Sequence, residues 1–351
     1  MRISILLPYK ENFSINKSGA VSLGVKDILK NTSDKNNTFV FGKTDEKKFL
    51  DKNYININFK KIFLKSHSKV YIKKFLEYEK IKPSDIIEVH NRPAYIEQIK
   101  KYSSSKLILY FHNDPLTMSG SKTINDRKLL LSKVDHFIFN SNWSLERFKI
   151  GLNDFNYYKN NFSVVYQSVN KPKINFNKKK NVISFIGKLN RAKGYDVFGG
   201  SIIKILNKYK DWKAIVIGDE PREKISFQHK RLINYGYKDH KFILKKLENT
   251  SISVICSRWN EPLGRASLEA CSRGSVPIIT NRGGLPETSK SALIIKHLNT
   301  KRLFTAIETL ILDKKKLRKL QYDNYKNFNF TPNLIAKKIE LIRENLIPVR
   351  K

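Results

Sequence analysis

The chain has 351 residues, 40% hydrophobic and 11% aromatic, which fits two folded domains and excludes a disordered polypeptide. Lysine and arginine number 68 against 31 acidic residues, a formal net charge of +37 that points to a polyanionic partner such as an anionic lipid surface, a phosphorylated glycan or nucleic acid. Cys256 and Cys271 are too few for a disulfide framework or a cysteine zinc site, and no apolar run is long enough to span a membrane, so a cytoplasmic setting is expected.

In chain order, "MRISILLPYK" reads as a first buried strand rather than a signal peptide. "ISILLPY", "NTFVFG", "DIIEVHN", "KLILYFHN" and "HFIFNS" are short apolar runs bounded by polar or turn residues, the pattern of strands, with helical stretches such as "YIEQIKKY" between them. Such alternation builds a parallel sheet covered on both faces. "NKPKINFNKKKN" then breaks the pattern and is expected to be a linker. Alternation resumes with "VISFIG", "GYDVFGGSIIKILNKY", "WKAIVIG", "ISVICS", "GRASLEACSR" and "VPIIT". The expected architecture is α/β, with two doubly wound Rossmann-like domains facing across a cleft. Its expected boundaries are residues 1–170, a linker at 171–180, a second domain at 181–325, and a helix within 326–351 that packs back across the linker.

Several chemistries are excluded. "GKT" at Gly42–Thr44 lacks the upstream glycine of a phosphate loop, since Asn37 stands there. There is no G-x-G-x-x-G, no nucleophile elbow at Ser267, no H-E-x-x-H and no Asp-x-Asp pair. No cofactor and no metal are expected.

"WNEPLGRASLEACSRGSVPIITNRGGLPE" carries Glu261 and Glu269 with seven residues between them. Pro262 suits a first helical turn and Gly274 a left-handed stop, which predicts a helix between them. Eight helical steps would separate the carboxylates by about 12 Å, the length of a sugar plus a diphosphate. "FIGKLNRAKG" offers Lys188, Arg191 and Lys193 in a strand-to-helix loop, where phosphates are commonly bound.

These two segments resemble the family 4 glycosyltransferases, retaining enzymes of the GT-B fold, through E-x7-E at Glu261 and Glu269, "GGLPE" at Gly283–Glu287, and the basic loop Gly187–Gly194. The resemblance implies that Glu261, Pro262, Leu263 and Gly264 bind the donor sugar, that Glu269 binds the ribose, and that Lys188 and Lys193 neutralise the diphosphate. Lys188 stands where arginine is commoner. Tyr237, in "NYGYKDHK", is the candidate for base stacking. In the first half, Gly19 and Ala20 match the glycine loop that opens a helix toward the diphosphate. His112, in "LILYFHND", matches the histidine beside donor sugar and acceptor, and His90, in "EVHNRP", is expected at most to line the cleft. His112, Glu261 and Lys193 are thus the expected catalytic residues.

The implied activity is transfer of a hexose from a nucleoside diphosphate sugar, UDP-linked, to a lipopolysaccharide or other envelope glycan. The segment Lys60–Lys82 mixes Ile62, Phe63, Leu64, Val70, Tyr71, Ile72, Phe75 and Leu76 with lysines, which predicts a basic helix on the anionic inner face of the cytoplasmic membrane. The alternatives are a polyanion or nucleic-acid binder, which leaves the E-x7-E segment without a role, and a UDP-sugar epimerase. No nucleic-acid partner is expected.

Overall fold

The structure is a computed structural model that describes residues 1–59, 66–153 and 161–347. The chain forms two compact units: Met1–Ser168, which the chain rejoins from Pro332 onward, and Val169–Thr331.

In the first unit, β1 (Ile3–Leu6), β2 (Thr38–Gly42), β3 (Tyr54–Asn56), β4 (Ile86–His90), β5 (Lys106–Phe111), β6 (His136–Phe139) and β7 (Phe162–Val164) form a sheet in the order 3-2-1-4-5-6-7. Every pairing is parallel. The strands are nearly continuous apolar runs because both faces are covered. One face packs Ile87, Val89, Leu107 and Leu109 against Tyr71, Phe75 and Ile99. The other packs Ile5, Ile86 and Ile108 against Val25 and Ile28 of the helix Ala20–Asn31, and against Ile335 and Ile339 of the helix Pro332–Leu346. Burial is worth about 1.5–3 kcal/mol per large apolar side chain, so these two layers hold the unit together.

In the second unit, β8 (Lys180–Ile186), β9 (Lys213–Ile217), β10 (Leu232–Asn234), β11 (Thr250–Ile255), β12 (Val276–Thr280) and β13 (Leu293–Ile295) form a sheet in the order 10-9-8-11-12-13, again parallel throughout. Sequence order reverses between β1 and β4 in one sheet and between β8 and β11 in the other. Ligands of such sheets bind beyond the strand ends at that point. It is there that the chain places Glu11 and His90 in one unit, and Lys193 and Glu261 in the other.

Two expectations change. The segment expected to be a linker is built into the second unit: Phe176 meets Tyr325 edge-on, and the Lys179 ammonium donates to the carbonyls of Leu247 and Thr250. Of the segment expected to form a basic membrane-facing helix, Ile62, Phe63 and Leu64 lie outside the described residues. In the helix His67–Ile81, Tyr71, Ile72 and Phe75 are core residues, and even Glu79 is buried, accepting from Ser4 Oγ at 2.6 Å and from the Ser84 N–H at 3.0 Å. Most of the apolar side of the pattern therefore belongs to the sheet, and the outward face carries Lys69, Lys73 and Lys80 together with Glu77, Tyr78 and Ile81. Among the described residues no helix is long and apolar enough to cross a membrane.

Candidate active site

In the second unit, the loop after β8 runs as a short turn from Arg191 to Lys193, capped by the Asn190 side chain accepting from the Lys193 N–H at 3.0 Å. The Lys193 ammonium reaches the Glu261 carboxylate directly. Lys193 was expected to wait open for a phosphate, but a buried carboxylate needs a counter-charge, and this lysine supplies it. Lys188 is exposed. Its nearby anion is Glu220, which is held down at about 2 chiefly by hydrogen bonds from Arg222, with Lys188 adding a smaller pull.

Glu261 does not lie on the helix that follows it. The helix begins at Arg265, and Gly264 precedes it at φ +104. That left-handed step overrides the preference of Pro262 for a first turn and puts Glu261 in extended backbone paired with Gly283. The 12 Å estimate drawn from a shared helix therefore does not apply. The Gly284 N–H donates to the Glu261 carbonyl at 2.7 Å, and a Cβ on Gly283, at φ +62, would sit 2.0 Å from that oxygen, so the "GGLPE" turn is what fixes Glu261. Leu263 is core, which leaves only its backbone for a ligand.

Glu269 lies within the helix Arg265–Ser272, and its Oε1 takes two hydrogen bonds, from His240 Nε2 at 2.7 Å and Arg265 Nε at 2.9 Å. Burial would raise its pKa, but the His240 hydrogen bond and the Arg265 charge reverse that and hold it below the ordinary carboxylate value. His240 and Arg265 were not anticipated, although Arg265 stands four residues before Glu269, the spacing of neighbours on one helix face. Tyr237 is 60% exposed, just after the left-handed Gly236. The structure thus joins Lys193 to Glu261 and His240 to Glu269.

In the first unit, Gly19 caps the helix Ala20–Asn31 as expected, but the N-terminus faces the chain's own anion. The Ser22 N–H donates to Glu11 Oε1 at 3.1 Å, and a Cβ on Gly19 would come within 2.6 Å of that same oxygen. A carboxylate is stabilised there for the reason a phosphate would be.

His112 follows β5 and is 7% exposed. Its N–H is held by Asn91 Oδ1 at 3.2 Å, and its carbonyl accepts from Asn140 Nδ2 at 3.0 Å. Its ring stacks on Tyr110 with centroids 4.2 Å apart, and Nε2 lies 2.9 Å from Nδ1 of His90. Burial, and then the neighbouring His90, hold the His112 pKa well below the ordinary histidine value, so the ring is neutral at pH 7. His90, expected only to line a cleft, is therefore a direct partner of His112. The signal was in "DIIEVHN", where Glu88 and His90 are polar residues at alternate positions of an otherwise apolar strand. Among the described residues no group of three or more His, Cys, Asp or Glu side chains gathers where a metal ion could bind.

Residues 167–327 match the family model "Glycosyl transferases group 1". YtcC of Bacillus subtilis (strain 168), whose name places it provisionally among glycosyltransferases, is 28% identical over 75% of this chain and 73% of its own length. Among solved structures, Anabaena Alr3699/HepE in complex with UDP-glucose superposes with a TM-score of 0.78 at 15% identity, covering 98% of this chain and 100% of that one. The lipopolysaccharide outer core galactosyltransferase WaaB gives a TM-score of 0.67 at 17% identity over 98% and 99% of the two chains. The chain has the GT-B fold, and its second unit is the part that matches the group 1 glycosyl transferase model.

Proposed function

We propose that the protein is a retaining hexosyltransferase using a UDP-linked sugar and an envelope glycan acceptor. The observation that carries this reading is the pair of clamped carboxylates beyond β8 and β11: Glu261 on Lys193, and Glu269 on His240 and Arg265. Two ionised acids held by removable or shared cations are suited to accept hydrogen bonds from sugar and ribose hydroxyls. The HepE complex with UDP-glucose supports the donor class, and WaaB, by its name, the class of acceptor. On donor binding Lys193 turns from Glu261 to the diphosphate, joined by Lys188, while the Leu263 and Gly264 N–H groups meet the sugar and Tyr237 the base. In the transfer, the bond from the anomeric carbon to the UDP oxygen breaks and a bond to the acceptor oxygen forms on the same face. The acceptor proton passes to the departing phosphate, whose charge the lysines stabilise. No metal takes part in this scheme, so EDTA is expected to leave turnover unchanged.

The test is a panel of UDP-sugars, with and without glycolipid extract, read by UDP release. Glu261→Gln should lower turnover ten-fold or more, a rise of at least about 1.4 kcal/mol in the barrier. UDP release from no sugar in the panel, or a Glu261→Gln protein as fast as the parent, overturns the reading.

A further inference from the structure

Glu88 and His90 are two apart on β4, so their side chains share a face of the sheet, and the register pairs His90 with Tyr110, two residues before His112. Four polar side chains meet on that face: His112, His90, Glu88, and Arg343 from the helix Pro332–Leu346. His90 Nδ1 is 2.9 Å from His112 Nε2, and His90 Nε2 is 3.6 Å from Glu88 Oε2. Arg343 closes the row, its Nε and Nη2 donating to Glu88 Oε1 at 2.7 Å and Oε2 at 3.0 Å. Glu88, His90 and Arg343 are all buried. At the other end of the row, His112 Nδ1 is buried without a hydrogen-bond partner among the described residues; so is His90 Nε2, which at 3.6 Å faces Glu88 as a charge and not through a hydrogen bond.

A neutral imidazole carries one N–H, and which nitrogen bears it depends on what the other meets. Arg343 already balances the Glu88 carboxylate, so the row carries no uncompensated charge. Glu88 is ionised: burial opposes this, but Arg343 and His90 bring its pKa down to about 2. A carboxylate favours the proton on the nitrogen that faces it, which is His90 Nε2. His90 Nδ1 is then a lone pair, and the 2.9 Å contact requires His112 to donate from Nε2. His112 Nδ1 is left as an acceptor.

We propose that Glu88 and His90 are positioning residues that fix His112 as its Nε2–H tautomer, so that its Nδ1 accepts a hydrogen bond from a substrate hydroxyl and has nothing to donate to a phosphate or carboxylate oxygen. This rests on the reading of His112 as a substrate contact. It differs from that reading in naming the chemical group His112 recognises and the residues that decide it. A buried polar atom lacking a partner is a place where a ligand atom completes the set.

The test is the nitrogen-15 NMR spectrum of histidine-labelled full-length protein at neutral pH, with the His112 ring assigned from its disappearance in His112→Gln. The expected result is a protonated Nε2 and an unprotonated Nδ1 at His112. In His90→Phe, which keeps a ring in the space but removes the acceptor, the His112 tautomers should become mixed. The same variant should lower kcat about ten-fold or more while leaving UDP affinity by calorimetry unchanged, the pattern of a lost contact to the reacting sugar. A His112 protonated at Nδ1 in the parent protein overturns the proposal, as does an unaltered tautomer in His90→Phe. Once His112→Gln has assigned the ring, the spectrum of the parent needs no enzymatic turnover. Failure of glycosyl transfer would therefore leave it readable, and a wrong tautomer with intact transfer would sink this proposal alone.

Discussion

In the first unit Glu88 is held by two nitrogens of Arg343, with side chains 3% and 0% exposed, whereas in the second unit Glu261 meets the single ammonium of Lys193, whose side chain is 31% exposed. A planar guanidinium on a buried carboxylate fixes both partners, and water cannot replace either. A half-exposed lysine can leave its carboxylate at low cost, because solvent or a phosphate can take over the ammonium. Both pairs neutralise a buried acid. One is a fixed part of the fold, while the other is a contact that a ligand can exchange.

The distinction breaks most visibly if Arg343→Met is harmless. Removing the guanidinium strands a buried carboxylate, so the full chain should lose about 3–5 kcal/mol by urea denaturation. A loss below about 1 kcal/mol would show that the pair is no more fixed than a surface bridge. A smaller effect on folding is expected from Lys188→Ala with Lys193→Ala. UDP affinity by calorimetry should fall about ten-fold or more, roughly 1.4 kcal/mol, while the melting temperature falls much less than in Arg343→Met, because water can reach Glu261 through the space the partly exposed lysine vacates. A drop in melting comparable to that of Arg343→Met would mean that Lys193 is structural. The smallest effect belongs to the outward lysines of the helix His67–Ile81. Each is worth about 1 kcal/mol near an anionic surface, so sedimentation with anionic liposomes should weaken in Lys69→Glu with Lys73→Glu. In the parent it should vanish at roughly 0.5 M salt, where the Debye length is about 4 Å. Equal sedimentation with neutral liposomes would remove the electrostatic basis of this attachment.

The two units were not equally readable from sequence. Glu261, Glu269, Lys188 and Lys193 sit in two short segments whose spacing is itself the signal, and the sheets followed from runs of apolar residues. The helix start was misplaced because Pro262 and Gly264 give opposing instructions and the left-handed glycine prevailed. The edge strands β3, β7, β10 and β13 were missed since three residues carry no visible period. The His90–His112 contact depends on the register of β4 against β5, and the Glu88–Arg343 pair joins residues 255 apart. Neither separation leaves a local pattern. The Glu11 carboxylate on the helix Ala20–Asn31 was hidden for the same reason, since a loop decides where that acid turns.

The return of the helix Pro332–Leu346 to the first unit has a consequence for biosynthesis. The ribosome releases β1 through β7 long before it reaches Arg343, and during that interval the strand carrying Glu88 has no guanidinium to meet and Ile5 and Ile108 lack part of their cover. The second unit, by contrast, is one continuous stretch of chain, Val169–Thr331, with its strands between Lys180 and Ile295. The first unit, although begun first, is therefore the last to be completed. A chain ending before Pro332 would hold every strand of both units while the first still lacked its last helix.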